Sequence, residues 1–225
     1  MIVSHSRRFI FVKSAKTAGT SLEAALSNYC GGDDIVTPLG DYDFNRDETG
    51  RWVHRAMNAD GFEQHDWGST IRDKVGSEVW NSYFKFSIAR NPWDRVVSLF
   101  TWLLRKDRGR NELVKDDDPA ARLASIRARF TDFVRNGYWH TNDRFYIIDG
   151  ECCVDYVIRY ENLADGTLEV CRRLGIPPIE LPRLKSGFKP GAFHYSQYYD
   201  AQTEALVAER HAHDIRLFGY RFERA

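Results

Sequence analysis

The sequence lacks the features that would assign it to several broad classes of protein. Its 32 Lys and Arg residues balance 32 Asp and Glu residues, so it has no net positive charge with which to coat nucleic acid or an anionic membrane. No apolar run approaches the roughly 18 residues of a membrane span, and the apolar stretch near the N-terminus is too short and interrupted for a signal peptide. We therefore expect a soluble, cytoplasmic protein that has no membrane span and binds no nucleic acid.

Cysteine is also scarce. Cys30, Cys152, Cys153 and Cys171 show no paired C-x-x-C spacing, which argues against the common zinc sites and favours reduced thiols in or near a core. What the chain does contain is 225 residues, 43% of them hydrophobic, which is enough to bury a core without crosslinks. We expect a single domain over residues 1–225.

Patterns typical of strands and helices alternate along the chain. Short runs rich in aromatic and β-branched residues predict strands at 9–12, 83–89 and 156–160. Amphipathic or capped segments predict helices at about 21–30, 69–75, 92–104, 120–136, 164–174 and 200–217. Such alternation is typical of an α/β fold with a parallel sheet.

The first predicted helix is delimited by local signals, whereas the stretch after it is not. Thr20-Ser21-Leu22-Glu23 matches a capping box, which places the helix start at about residue 21, and Gly31-Gly32 marks its end. Residues 31–80 are polar and irregular. A long excursion of this kind is typical of a functional loop.

A loop of small residues from Ser14 to Gly19 joins the first predicted strand to the first predicted helix. Such a loop presents backbone N–H groups and the positive end of a helix dipole to an anion, and Lys16 adds a positive charge. Hydroxyl groups that can donate to the same anion belong to Thr17, Thr20 and Ser21. Because Lys16 precedes Gly19, the loop is not a Walker A sequence, and taken alone it also fits an ordinary capped turn.

A second motif crosses the end of the next predicted strand. Arg90 follows that strand, Pro92 occupies the first position of a helix, and Ser98 lies eight residues beyond Arg90, away from the helix's apolar stripe. An arginine and a hydroxyl from successive elements can hold one phosphate together. Taken alone, the pair also fits an arginine and a serine on an ordinary surface.

The two motifs together resemble a known family. The segments KTAGTSL (16–22) and FSIARNPWDRVVSLF (86–100) are similar to the sulfotransferases that use 3′-phosphoadenosine-5′-phosphosulfate, most of all to the group related to carbohydrate O-sulfotransferases. YENL (160–163), LPRLKSG (181–187) and the residues after 197 are similar as well. The resemblance departs at Ala15, where the family often has proline before the lysine.

This resemblance implies a P-loop-like, three-layer α/β fold with a central, mainly parallel sheet flanked by helices. It implies that 3′-phosphoadenosine-5′-phosphosulfate is the cosubstrate, that 3′,5′-adenosine bisphosphate is the nucleotide product, and that no metal is required. The residues implied to hold the 5′-phosphosulfate are Lys16, Thr17, Ala18, Gly19, Thr20 and Ser21. Arg90 and Ser98 are implied to hold the 3′-phosphate, with Lys185 as a further contact.

Sulfuryl transfer to a hydroxyl needs a cation beside the leaving phosphate and a base for the acceptor's proton. Lys16 fits the first role. For the base, histidine is favoured because its pKa lies near neutrality. We choose His65, since the segment ending in Phe62-Glu63-Gln64-His65, with a short helix and a strand after it, resembles the family segment that carries the catalytic histidine. His54 and Glu63 remain alternatives.

The resemblance defines the acceptor less closely than the donor. We expect the excursion at residues 31–80 to lie on the acceptor side of the site. A hydroxyl of a carbohydrate or glycolipid follows from the resemblance, and tryptophans that can stack on a sugar or pack in a core are Trp52, Trp67, Trp102 and Trp139. The basic stretch at 105–110 fits either an anionic acceptor or a solvated loop. Two other functions stay open at this point: a small-molecule kinase of P-loop-like fold, and a catalytically silent nucleotide-binding or scaffolding protein.

Overall fold

A computed structural model of the chain describes residues 1–39, 54–106, 118–137, 139–182 and 193–225. Within these ranges the chain forms two units, the first from Met1–Ala89 and Asn142–Leu184, the second from Arg90–Thr141 and Lys185–Ala225. All the strands of the described ranges belong to the first unit.

A five-stranded sheet forms the centre of the first unit. Its strands are β1 (Ile2–Ser4), β2 (Phe9–Val12), β3 (Ile35–Val36), β4 (Phe84–Ala89) and β7 (Tyr156–Arg159), in the order β3-β1-β2-β4-β7. β4 pairs in parallel with both β2 and β7, whereas β1 is antiparallel to β2 and β3. The strands β5 (Ile147–Ile148) and β6 (Glu151–Cys152) pair separately. The predicted α/β class with parallel pairing is confirmed; β1 and β3 were not predicted, since two or three residues show no period.

The helices fall where the sequence places them, with differences at their ends. The first unit contains α1 (Gly19–Ser27), α2 (Gly68–Ser82), α5 (Asp143–Tyr146) and α6 (Leu163–Leu174). The second contains α3 (Pro92–Lys106), α4 (Pro119–Asn136), α7 (Ala201–Arg210) and α8 (Ala212–Phe218). Pro92 begins α3 as predicted, and Gly175 ends α6 in the left-handed conformation that glycine tolerates.

Three predicted helix boundaries are wrong. The Thr20–Glu23 capping box does not form, because the helix starts at Gly19 after a left-handed Ala18 and ends at Ser27. Gly76 interrupts α2 as expected, but helical backbone resumes and continues to Ser82. The predicted final helix is two helices, broken at His211.

The core of the first unit is built from the sheet and the helices that cover it. Phe11 and Phe86 lie opposite each other in the parallel β2–β4 pair and stack with ring centroids 5.2 Å apart. Leu22 and Leu26 of α1 and Val170 of α6 belong to the same buried cluster. Burial of such side chains is worth about 1.5–3 kcal/mol each, so this cluster fixes the sheet on which the β2–α1 loop is mounted.

The second unit is packed around α3. Its predicted apolar stripe is buried at Trp93, Val96, Val97 and Phe100. Phe100 meets Phe130 of α4 edge to face, with ring centroids 5.3 Å apart. The N-terminal end of α4 is capped by Asp118, whose side chain accepts the backbone N–H groups of residues 120 and 121. The Phe100–Phe130 contact joins α4 to α3, which carries Ser98 of the second motif.

Gly166 marks the closest approach of a helix to the sheet. A Cβ atom at this position of α6 would lie 2.5 Å from Cγ2 of Ile158 in β7. We expect Gly166→Ala to lower the free energy of unfolding by about 1–3 kcal/mol, since overpacking outweighs the roughly 1 kcal/mol that alanine gains in a helix. Urea unfolding followed by circular dichroism measures the change. Gly32→Ala is the control, because a Cβ there meets nothing within 4 Å; equal stability of the two variants would contradict this packing.

Candidate active site

The loop between β2 and α1 is pinned from within by its own hydroxyl groups. Ser14 Oγ donates a hydrogen bond to the carbonyl oxygen of Ile88 in β4 at 2.5 Å. Thr17 Oγ1 lies 2.8 Å from Ser14 Oγ, and since that serine proton is committed to a carbonyl, the threonine donates. Thr17 is completely buried. In this structure its hydroxyl therefore holds the loop together.

The backbone of this loop is held in an uncommon conformation. Lys16 and Ala18 both have a φ of 65°, in the left-handed region where a non-glycine residue costs about 1–2 kcal/mol. Gly19 follows with no room for a side chain, because a Cβ atom there would lie 2.9 Å from Cγ of Lys13. The first backbone hydrogen bond of α1 runs from the N–H of Ser21 to the carbonyl oxygen of Ala18 at 3.0 Å, so the helix dipole begins directly after the left-handed Ala18. Strain of this kind clusters at sites where backbone geometry is needed for binding.

A buried ion pair spans the loop from end to end. Lys13, the residue after β2, places its ammonium 2.6 Å from Oε2 of Glu23 in α1, and the two side chains are 1% and 0% exposed. The other carboxylate oxygen accepts from the Met1 amino group at 2.7 Å and the Thr37 hydroxyl at 2.7 Å. Burial would raise the pKa of Glu23, but the Met1 amino group and Lys13 together lower it. Glu23 is therefore a charged structural anchor, which explains why it caps no helix.

His65 is attached to the same loop. Its Nδ1 lies 2.9 Å from the backbone carbonyl oxygen of Lys13. A carbonyl only accepts, so Nδ1 carries the proton and Nε2 is left with its lone pair. The edge of Phe145 packs against the ring at a centroid distance of 6.1 Å. Although the residue reaches the surface, the protein around it desolvates the imidazolium and lowers its pKa from 6.5 to about 4.

The two other candidate bases are less well placed. His54 hydrogen-bonds to the backbone of Thr37, and its Nε2 is enclosed with no hydrogen-bond partner among the described residues. Burial lowers its pKa as well. Glu63 is exposed, and its backbone N–H donates to Asp66 at 2.9 Å. His65 combines a defined tautomer with attachment to the loop, which neither alternative does.

One short segment, Asn142 to Phe145, was missed by the sequence analysis. Asn142 is 2% exposed, and its amide donates to the carbonyl oxygen of Ala15 at 2.9 Å, which holds the loop next to Lys16. Three residues on, Phe145 packs against His65. The segment therefore contacts both the loop and the candidate base. No sequence signal reveals this role, since Asn142 is 127 residues from Ala15 and α5 has only four residues.

In the second unit, an ion pair within the second motif fixes the side chain of Arg90. The Arg90 guanidinium donates to Oδ2 of Asp94 through Nε and Nη2, each at 2.7 Å, and the arginine side chain is 12% exposed. Ser98 lies one turn beyond Asp94 on the same face of α3 and is half-buried. Asp94 thus fixes the orientation of the Arg90 guanidinium.

The remaining residues singled out in the sequence are a lysine, a basic stretch and four tryptophans. Lys185, Trp52 and residues 107–110 lie outside the described residues. Among the predicted sugar-stacking tryptophans, Trp139 is 7% exposed, Trp102 is half-buried and Trp67 is 46% exposed.

In the described ranges, no three His, Cys, Asp or Glu side chains converge as a metal site would require, and no helix there has the length and apolarity to cross a bilayer.

Comparison with known proteins identifies the family. The sequence model of the sulfotransferase family matches residues 1–221. The chain belongs to the sulfotransferase family. It is 31% identical to an uncharacterized protein of Archaeoglobus fulgidus over 111 residues, which are 48% of this chain and 80% of that protein. The crystal structure of a sulfotransferase from Alicyclobacillus acidocaldarius covers 96% of each chain at 19% identity, with a TM-score of 0.41.

Membership of this family makes the chain a transferase of sulfuryl groups. The reaction moves one anionic group from a donor to an acceptor, so the enzyme needs fixed positive charge and N–H donors at the transfer point. The β2–α1 loop, with its helix N-terminus and Lys16, supplies groups of this kind. His65, hydrogen-bonded to the first residue of the loop, adds a neutral proton acceptor.

The strain at Ala18 gives a stability test of the loop conformation. We expect Ala18→Gly to raise the free energy of unfolding by about 0.5–1 kcal/mol, because glycine adopts a φ of 65° without the side-chain penalty. Thermal or urea unfolding measures this. Ala24→Gly, the same change within α1, is the matched control and should lower the stability by about 1 kcal/mol. If both variants lose stability alike, Ala18 is not left-handed in solution.

Proposed function

We propose that this sulfotransferase takes its sulfuryl group from 3′-phosphoadenosine-5′-phosphosulfate and transfers it to a carbohydrate hydroxyl. The observation that carries the proposal is the 2.9 Å hydrogen bond between His65 Nδ1 and the Lys13 carbonyl. This contact attaches His65, a base of defined tautomer, to a loop between a strand and a helix that can bind an anion. A P-loop kinase would need the G-x-x-x-x-G-K-[ST] spacing, which this loop lacks.

The donor is assigned to residues of both motifs. Lys16 and the backbone amides from Thr17 to Thr20 hold the 5′-phosphosulfate, with the hydroxyls of Thr20 and Ser21 as further donors. Arg90 and Ser98 hold the 3′-phosphate, joined by Lys185. Each charge-assisted hydrogen bond of this type contributes about 1.5–3 kcal/mol. Because these cations and amides neutralise the phosphates directly, the proposed reaction needs no metal ion.

The transfer is an in-line displacement at sulfur. The acceptor oxygen forms a bond to sulfur while the bond from sulfur to the 5′-phosphate oxygen breaks, and the acceptor proton passes to Nε2 of His65. The electron pair of the broken bond stays on the leaving phosphate, where Lys16 and the loop amides stabilise the added charge. The Lys13 carbonyl accepts from Nδ1 throughout and so stabilises the imidazolium that forms.

The low pKa of His65 has two consequences for this mechanism. Burial lowers it to about 4, so the imidazole is neutral and ready to accept a proton across the physiological range. A base this weak does not remove a proton from a free hydroxyl ahead of the reaction. Proton transfer must therefore accompany bond formation to sulfur, as the hydroxyl becomes acidic.

We expect His65→Asn, which keeps a donor for the Lys13 carbonyl but removes the base, to lose about 10²–10⁴-fold in kcat while retaining donor affinity. In the wild-type enzyme, kcat/KM should stay level as the pH falls from about 7 to 5 and decline only near pH 4, where the free enzyme's imidazole protonates. Steady-state assays with labelled donor measure both quantities.

His5→Ala serves as the control, since His5 is exposed and hydrogen-bonds to Tyr83. A His65→Asn variant with the turnover of the control would remove His65 from the mechanism. A decline of kcat/KM centred near pH 6.5, absent in the variant, would keep His65 as the base and refute the low pKa.

Donor binding gives a separate test that requires no acceptor. Lys16→Ala and Arg90→Ala should each weaken binding of 3′,5′-adenosine bisphosphate by about tenfold or more, because each removes a charge-assisted phosphate contact. Isothermal titration calorimetry measures the affinity. Arg172→Ala removes the same charge from a side chain that is 72% exposed and should leave the affinity unchanged. Unchanged affinity in both site variants would overturn the assignment of these residues to the donor. A rise in the melting temperature of the protein with ATP–Mg²⁺, but not with the bisphosphate, would favour a kinase.

A further inference from the structure

An exposed tryptophan lies beside the candidate base. Trp67 is 46% exposed and is separated from His65 by one residue, so their Cα atoms are at most about 7.6 Å apart. The guanidinium of Arg144 lies over the indole, 4.7 Å from its centroid. Arg144 is itself exposed, and the pair forms a surface with a flat apolar component and a positive charge.

Packing fixes this pair relative to His65. Gly68 brings the start of α2 so close to α5 that a Cβ atom would lie 2.9 Å from the Phe145 carbonyl oxygen and 3.0 Å from Cys153 Sγ. Phe145 in turn packs against the His65 ring. His65 and Trp67 both shortly precede Gly68 on one side of this contact. On the other side, Arg144 directly precedes Phe145. The distance from the base to the aromatic surface is therefore set by buried backbone.

The charges around the pair leave Arg144 available to an anion. Among the described residues, no acidic side chain forms an ion pair with its guanidinium. The nearby carboxylates are engaged elsewhere: Asp66 binds Lys74 at 2.6 Å, and Asp143 accepts the backbone N–H of Arg144 at 2.9 Å. An arginine fork matches the two oxygens of a carboxylate or sulfate group.

We propose that Trp67 and Arg144 bind the acceptor and select a sugar that carries a carboxylate or sulfate group. This inference rests on the proposed function, because it places the acceptor hydroxyl at Nε2 of His65. Trp67 is two residues from His65, and Arg144 precedes the Phe145 that packs against the His65 ring, so a sugar whose hydroxyl meets the base lies within reach of the indole and of the guanidinium. Its anionic substituent then pairs with Arg144.

The test follows the Trp67 indole directly. The protein has six tryptophans, and the Trp67 indole N–H resonance is identified in an amide correlation spectrum by its loss in Trp67→Phe. Three disaccharides of the same linkage are titrated, ending in glucuronic acid, glucose 6-sulfate or glucose. We expect the resonance to shift with the acidic sugars at roughly tenfold lower concentration than with the neutral one. Trp80, which is 6% exposed in the same unit, should not shift.

Arg144→Gln supplies the decisive comparison. It should abolish the preference for acidic sugars and leave the affinity for 3′,5′-adenosine bisphosphate unchanged. A preference for only one acidic sugar would identify carboxylate or sulfate as the group selected. A Trp67 resonance that no sugar shifts, or a preference that survives Arg144→Gln, would overturn the inference. Failure of the bisphosphate to bind wild-type protein would instead count against the proposed function. The sugar titration would still test whether Trp67 and Arg144 bind an acidic sugar.

Discussion

The buried ion pair between Lys13 and Glu23 is the constraint on which the rest of the site depends. It joins the end of β2 to α1 across the intervening loop, at 2.6 Å and almost without solvent. Removing two charges from water is costly, and only close partners offset that cost. The carboxylate has them in Lys13, the Met1 amino group and Thr37. With both loop ends fixed, the chain between them must turn within six residues, and the left-handed Lys16 and Ala18 allow that turn.

Side chains within and around the loop maintain this backbone. Ser14 and Thr17 use their hydroxyls on the neighbouring strand and on each other, and Asn142 holds the Ala15 carbonyl. Gly19 is needed because the stem of Lys13 occupies the space where a Cβ would lie. The pattern of small residues that suggested a phosphate loop therefore has a structural basis in the ion pair. In the proposed mechanism, sulfuryl transfer uses a backbone that these contacts have already ordered.

Sequence reasoning predicted the parts of the molecule whose causes are local. The strands β2, β4 and β7 and the start of α3 follow from apolar runs and from Pro92, and the two sequence motifs lie at the strand ends and helix starts predicted for them. The capping box failed because Glu23 forms a long-range ion pair, which a local pattern does not reveal. Asn142 and Arg144 were missed for the same reason. Both act on residues far away in the chain, from a helix of four residues that shows no period.

The same electrostatics connect the loop to the base. Burial lowers the pKa of His65 most and the Lys13 ammonium lowers it further, whereas the hydrogen bond to the Lys13 carbonyl and the Glu23 carboxylate raise it. In the proposed mechanism a bound phosphosulfate adds negative charge near the imidazole, which makes the imidazole more basic than in the free enzyme. In the proposed mechanism the base is consequently strongest only when the donor is present. Proton removal from the acceptor is thereby coupled to occupancy of the loop, and the enzyme without donor holds a neutral, weakly basic histidine.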